Sequence, residues 1–227
     1  MRRAVTLSQE QEGVIKFTLE FSEKSLKNIP DYRDDTLATL NQWRAITYKL
    51  ELIGQNPDRY LGYGFGNISC RVTNGDHTFL ISGTQTGEKS WLEESECAIV
   101  THCDPMKNFI KALGLCKPSS EAMTHGQLYL LDKTINAVIH VHSPDIWNYR
   151  TELSIPSTDA NVPYGTPLMA KEVERLFNET NVRDQKIFAM TGHEDGVVAF
   201  GDSLEAATSI LIHYFSNALA LKHGTLS

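Results

Sequence analysis

Segments with helical periodicity and short apolar runs of strand length intermingle along this 227-residue chain, a pattern that packs as a layered α/β domain. From Thr36, the apolar positions Leu37, Leu40, Trp43, Ile46, Leu50 and Ile53 recur every three or four residues and Gly54 follows, which predicts an amphipathic helix with a glycine stop. Asn67 to Val72 and Thr78 to Ser82 read as strands. They are joined by Thr73-Asn74-Gly75-Asp76, whose Asn-Gly pair readily takes the positive φ of a hairpin turn. Cys97 to Thr101 reads as a further strand, and Pro118-Ser119-Ser120-Glu121 opens a helix to about Leu131, because serine and an early glutamate satisfy free amides at a helix start. Ala137 to His142 is a strongly apolar strand. Pro144 to Arg150 and Leu168 to Glu179 read as helices, Lys186 to Met190 and Val197 to Phe200 as strands. Leu204 to Leu219 is a closing helix with Leu204, Ala207, Leu211, Tyr214 and Ala218 on one face.

Residues 1–35 form an N-terminal extension ahead of a domain over 36–227, since no linker or repeat divides the rest. Within the extension Ile15, Phe17, Leu19 and Phe21 alternate with Lys16, Thr18 and Glu20, a period of two that suits an edge strand or an arm reaching a neighbouring subunit.

Hydrophobic residues make up 41% and charged residues 22% of the chain, enough apolar mass for one continuous core. The net charge of -7, with 21 basic residues dispersed along the chain, provides no basic stripe for a nucleic acid. No apolar run approaches the roughly 20 residues that cross a bilayer, and the residues after Met1-Arg2-Arg3, including Thr6, Ser8 and Gln9, lack the apolar centre of a secretory signal. Cys70, Cys97, Cys103 and Cys116 form no CxxC pair and read as reduced thiols, so a cytoplasmic location is expected.

The chemistry concentrates in Val138-Ile139-His140-Val141-His142. Side chains of a strand alternate faces, so both imidazoles share one side while Ile139 and Val141 take the other, and one divalent ion lies within reach of both rings. A catalytic zinc wants three protein ligands and an open position. The candidate third ligand is His193, in the glycine-flanked turn Thr191-Gly192-His193-Glu194-Asp195-Gly196 between two apolar strands. A pair of hydrogen-bonded core histidines and a plain loop histidine are the bland alternatives. Glu121, at the mouth of its helix, is either a residue stabilised by the helix dipole or, near a metal, an acid/base whose carboxyl desolvation would raise toward neutrality. His125, four residues on, faces the same way, where it orients Glu121 or is simply a surface or core histidine. Gly62 to Ser69 and Ser82 to Gly87 supply backbone able to approach an anion, though neither is a Walker A loop or a dinucleotide fingerprint.

In order, Gly66-Asn67-Ile68-Ser69, the Ser82 to Gly87 loop, Pro118-Ser119-Ser120-Glu121, His140-Val141-His142 and Gly192-His193 resemble the class II aldolase/adducin family over about residues 36–220. The resemblance implies a layered α/β/α domain with a central, mainly antiparallel sheet. It implies His140, His142 and His193 as ligands of Zn2+, or of Mn2+ or Co2+, Glu121 as the catalytic carboxylate, and Asn67, Thr86, Gly87, Ser119 and Ser120 as the substrate-phosphate site. The implied activity is an aldolase-type lyase working through a metal-stabilised enediolate on a small hydroxylated carbonyl compound, free or phosphorylated, in a homotetramer.

Two departures from the sugar-phosphate aldolases stand out. The segment between His142 and Pro163 is short and lacks the insertion that carries their proton-donating tyrosine, so Tyr164 is read either as its substitute or as a packed turn residue. Glu194 and Asp195 intervene before the glycine that normally follows the third histidine directly, and either carboxylate is a further potential ligand. Epimerase, dehydratase and decarboxylase chemistry, or a noncatalytic adducin-like interaction domain, are the alternatives within the family. A cupin, which HxH alone would also suit, is at odds with the long helices, and an amidohydrolase barrel fits poorly with the short chain and late HxH.

Overall fold

A computed structural model describes residues 13–29 and 31–224; the segment read above for a secretory signal lies outside them. The elements run β1 (Thr18–Glu23), α1 (Asp34–Lys49), β2 (Gly54–Gln55), β3 (Gly64–Phe65), β4 (Asn67–Arg71), β5 (Phe79–Ser82), β6 (Cys97–Asp104) and β7 (Phe109–Gly114). They continue with α2 (Ala122–Leu131), β8 (Ala137–His142), α3 (Pro144–Asn148), α4 (Pro167–Glu179), α5 (Val182–Gln185), β9 (Ile187–Ala189), β10 (Gly196–Gly201) and α6 (Leu204–Lys222). Eight strands form one sheet in the order β1-β7-β6-β5-β4-β8-β10-β9, while β2 and β3 form a separate ribbon. Every pairing in the large sheet is antiparallel except β1 with β7. Of the two roles open to the N-terminal segment, residues 18–23 take that of edge strand.

The alternation of side chains divides the core in two. Ile139 and Val141 of β8, with Val197 and Ala199 of β10, join Leu40 of α1, Ile146 of α3 and Leu204, Ala207 and Leu211 of α6. Val138, Val198 and Phe200 point the other way, onto Met123 and Leu128 of α2 and Met169, Val173, Leu176 and Phe177 of α4. Helices therefore cover both faces, and each fully buried side chain of this size contributes roughly 1.5–3 kcal/mol. No described helix is long and apolar enough to cross a membrane.

Local chemistry sets the boundaries. Pro144 and Pro167 occupy first-turn positions, where a missing N–H costs nothing. The Ser143, Thr166 and Ser203 hydroxyls accept from the amides of Ile146, Met169 and Ala206 at 3.3, 3.3 and 3.1 Å. The elements differ from the sequence reading in several places. Helix α1 ends at Lys49 rather than running to a stop at Gly54, with Glu51 at a φ of 57° turning the chain, and Gly54 opens β2. The helix expected from Pro118 begins at Ala122, because residues 118–120 serve the neighbouring loop: Ser119 N–H donates to the Ser82 carbonyl at 3.1 Å and Pro118 bridges Gly83. Strand β7, with Ile110 and Ala112 inward and Lys111 outward, was not read from the sequence at all. The β4–β5 turn uses positive φ at Gly75, +78°, but not at Asn74.

Candidate metal centre

β8 lies between β4 and β10, in a register that pairs His140 with Asn67 on one side and Val198 on the other, and His142 with Gly196. That last pairing seats the turn ahead of β10 beside the end of β8. The turn is closed by the Met190 amide on the Gly196 carbonyl, 2.8 Å, and the His193 amide on the Met190 carbonyl, 3.0 Å. It is tied to the end of β8 by the Ser143 amide on the Asp195 carbonyl, 2.9 Å.

His193, far along the chain from His140 and His142, thus shares one spot with them. Their candidate ligand nitrogens all lie within 4.8 Å of one another, and all three side chains are buried. Ring centroids are separated by 5.0 Å for His140 and His142, 5.2 Å for His140 and His193, and 4.7 Å for His142 and His193. Nδ1 of His140 lies 3.3 Å from the Val197 carbonyl oxygen, a contact that as a donated hydrogen bond leaves Nε2 as the lone-pair nitrogen. Burial, then the charges of His193, His140 and Arg59, hold the His142 pKa far below the usual histidine range, so its imidazole is neutral. Three buried, converging imidazoles are a donor set able to hold a divalent transition metal, and the residues fit such an ion.

Glu121 occupies the N-cap position of α2 but makes no cap bond; its carboxylate turns inward instead. Oε1 lies 3.5 Å from Nδ1 of His193, and Oε2 accepts from the Thr124 hydroxyl at 3.0 Å. Burial alone would push this carboxyl up, the direction expected above. The hydrogen bond with His193 and the charges of His140 and His193 outweigh burial and hold the group down, at about 2. His125 packs in the core: it is fully buried, with Nδ1 2.7 Å from the Ser69 hydroxyl, which also meets the Tyr129 hydroxyl at 2.7 Å.

Asn67, Thr86, Gly87, Ser119 and Ser120 line one small cavity together with Glu121 and His140. Its floor is close-packed backbone. Gly66 has a φ of +73°, and a Cβ on Gly87 would stand 2.3 Å from the Gly54 carbonyl oxygen, so neither position admits a side chain. The loop is braced from beneath by buried Arg44, which donates to the Thr86 carbonyl at 2.7 Å and the Lys89 carbonyl at 2.8 Å. No lysine or arginine lines this cavity among the described residues, so an anion there would be held by hydroxyls, an amide and backbone N–H groups.

Tyr164 is buried, its ring centroid 4.5 Å from that of His193. Lys16 places its ammonium 3.7 Å from the centre of the Tyr164 ring, and Tyr60 sets its ring edge-on against His142 at 4.5 Å. Neither Lys16 nor Tyr60 was legible as a site residue, because their separation in sequence from the histidines carries no local signal.

A family profile described as Class II Aldolase and Adducin N-terminal domain matches residues 58–219. Among solved structures, L-fuculose-1-phosphate aldolase from Thermus thermophilus superposes with a TM-score of 0.62 at 18% identity, covering 86% of this chain and 96% of that one. YgbL from Klebsiella pneumoniae, whose description leaves aldolase, epimerase and decarboxylase open, gives 0.61 at 20% identity, with 86% and 93% coverage. Sugar-phosphate aldolase from Thermotoga maritima gives 0.61 at 16% identity, with 83% and 94% coverage. At such identities the superpositions speak for the fold, and the profile, spanning most of the sequence, speaks for descent: this chain belongs to the class II aldolase and adducin family.

Proposed function

We propose that this protein is a divalent-metal-dependent lyase of the aldolase type, with His140, His142 and His193 as the ligands and zinc as the metal, Mn2+ or Co2+ being able to replace it. The observation that carries the proposal is the meeting of three buried imidazoles with the buried Glu121 carboxylate, 3.5 Å from one of them, beside a cavity lined with hydroxyls and glycine backbone. A cation bound there supplies Lewis acidity, stabilising negative charge that develops on a carbonyl oxygen when an adjacent bond to carbon breaks.

The chain's own groups supply the rest. Asn67, Thr86, Gly87, Ser119 and Ser120 orient the substrate by its phosphate or a hydroxyl, using neutral donors. Glu121, ionised and steadied by Thr124, takes a proton from the substrate and returns it at the other end of the cycle. Tyr164, packed on His193, is the candidate group at the aldehyde oxygen: it gives a proton to the new hydroxyl oxygen when the carbon–carbon bond forms and takes that proton back when the bond breaks. The burial of these groups excludes water, which strengthens each charge interaction. The substrate class is a small hydroxylated carbonyl compound, free or phosphorylated. A homotetramer fits the family, and the four free cysteines suit a reducing cytoplasm.

The experiment is a metal-replete screen of the purified protein over free and phosphorylated ketoses, aldehydes and hydroxy acids, read by product analysis. Aldol cleavage of one substrate class upholds the proposal. Turnover that inverts a stereocentre, or loses water or carbon dioxide, moves the chain to the epimerase, dehydratase or decarboxylase chemistry of the same family. No turnover and no bound metal would leave an adducin-like interaction domain.

A further inference from the structure

Tyr60, Leu61 and Gly62 lie consecutively at φ values of 48°, 57° and 77°. The left-handed region is unfavourable for a residue with a Cβ, so two successive non-glycine residues stay there only if the surroundings hold them. Leu61, 65% exposed, provides no such anchor. Tyr60 does. Its hydroxyl donates to Oδ2 of Asp195 at 2.7 Å and accepts from Nη2 of Arg59 at 2.9 Å, while its ring meets that of His142. The same guanidinium donates to the His142 carbonyl at 3.2 Å and lies 4.5 Å from the centre of the Phe65 ring.

The other end of this hydrogen bond is left-handed as well, at an aspartate, whose short polar side chain tolerates that region. Asp195 has a φ of 61° and stands two residues beyond His193. Backbone strain at Tyr60 and Leu61, held by this contact, marks a place where the fold sacrifices local comfort for position. What the contact joins is the loop that covers His142 and the turn that presents His193. His142 ends a central strand, its amide donating to the Leu52 carbonyl at 3.0 Å, whereas His193 depends on a turn that the Ser143 amide holds by the Asp195 carbonyl, so a further tie on Asp195 bears directly on the spacing of the two rings.

We infer that the hydrogen bond from the Tyr60 hydroxyl to the Asp195 carboxylate is a clasp that sets the spacing of His142 and His193, making Tyr60 and Asp195 positioning residues of the metal centre. The inference rests on the proposed reading of the three histidines as ligands. Contacts that orient ligands from behind typically change metal affinity by roughly 10–100-fold.

The test is a Co2+ titration of metal-stripped protein, followed by visible absorption, which reports coordination geometry independently of turnover. Tyr60→Phe keeps the ring on His142 and removes only the hydroxyl; it is expected to weaken Co2+ binding by about tenfold, the lower end of that range, and to alter the spectrum. Asp195→Gly, in which glycine accepts the left-handed backbone, is expected to do the same, and serves alone if the first variant does not fold. The double variant is expected to bind no more weakly than either single one, and Asp195→Asn, which retains an acceptor at a position asparagine tolerates, to keep the wild-type spectrum. Wild-type affinity and spectrum in both Tyr60→Phe and Asp195→Gly, or losses that multiply in the double variant, would overturn the clasp while leaving the metal reading intact. Failure of the wild-type protein itself to take up Co2+ would overturn the metal reading, and the clasp with it.

Discussion

Oε1 of Glu121 and Nδ1 of His193 stand 3.5 Å apart, with both side chains withdrawn from solvent. The contact joins the start of a helix to a turn far along the chain, and it places a buried carboxylate of the cavity against a candidate ligand. Replacing Glu121 with glutamine preserves shape and removes the ionisable group. The expected outcome is unchanged metal content by elemental analysis with a fall in turnover of roughly 10²–10⁴-fold, the usual contribution of a general acid or base. A variant with undiminished turnover would remove Glu121 from the reaction.

The histidines should act as a set. Purified protein is expected to hold close to one divalent ion per chain, and the His140→Ala, His142→Ala double variant to hold none. Because an ion that binds only the folded state stabilises it, adding zinc should raise the melting temperature of the parent and leave that of the variant unmoved. Equal metal content in the two proteins would refute the site.

Gly87 tests the cavity floor. A Cβ there meets the Gly54 carbonyl oxygen at 2.3 Å and the Gly64 Cα at 2.5 Å, both backbone atoms that cannot swing aside. Gly87→Ala is expected to cost about 1–3 kcal/mol of stability, as overpacking usually does, and to weaken binding of inorganic phosphate measured by calorimetry. Denaturation midpoints matching those of the parent would show that the loop yields freely.

His125 makes folding stability pH-dependent. Burial first, then the charge of His140, lower its pKa from 6.5 to about 3. Below pH 6.5 the unfolded chain therefore takes up a proton that the native chain refuses until about pH 3. Stability contributed by this residue is complete above about pH 6.5 and is lost as pH falls through that window, on the order of 1 kcal/mol per pH unit. Urea denaturation between about pH 7.5 and 4.5, with a chelator present, should show a shallower dependence of stability on pH in His125→Asn than in the parent. Parallel slopes would mean that His125 is protonated in the native state.

The layered α/β class, the principal helices and the shared face of His140 and His142 were all legible, because each follows from a period of two or of about 3.6 within a few residues. Strand β7 was obscured although Ile110, Lys111 and Ala112 alternate correctly. The register between β6 and β7 slips between Val100 and His102, and a strand whose partners include an edge strand parallel to it carries no turn signal that links the two. Glu121 was legible as a residue but not in its direction: the expected upward shift assumed burial alone, and the neighbouring imidazoles reverse it.

Family membership and the candidate side chains are properties of residues in order along the chain, and the amino-acid sequence carries them unaided. The convergence of His193 on the strand histidines, the gathering of Asn67, Thr86 and Ser119 around one cavity, and the Tyr60 to Asp195 contact depend on tertiary packing. Periodicity reports which face of an element a side chain takes, but only the pairing of β10 with β8 and the packing of loops against them fix how far apart two such faces lie.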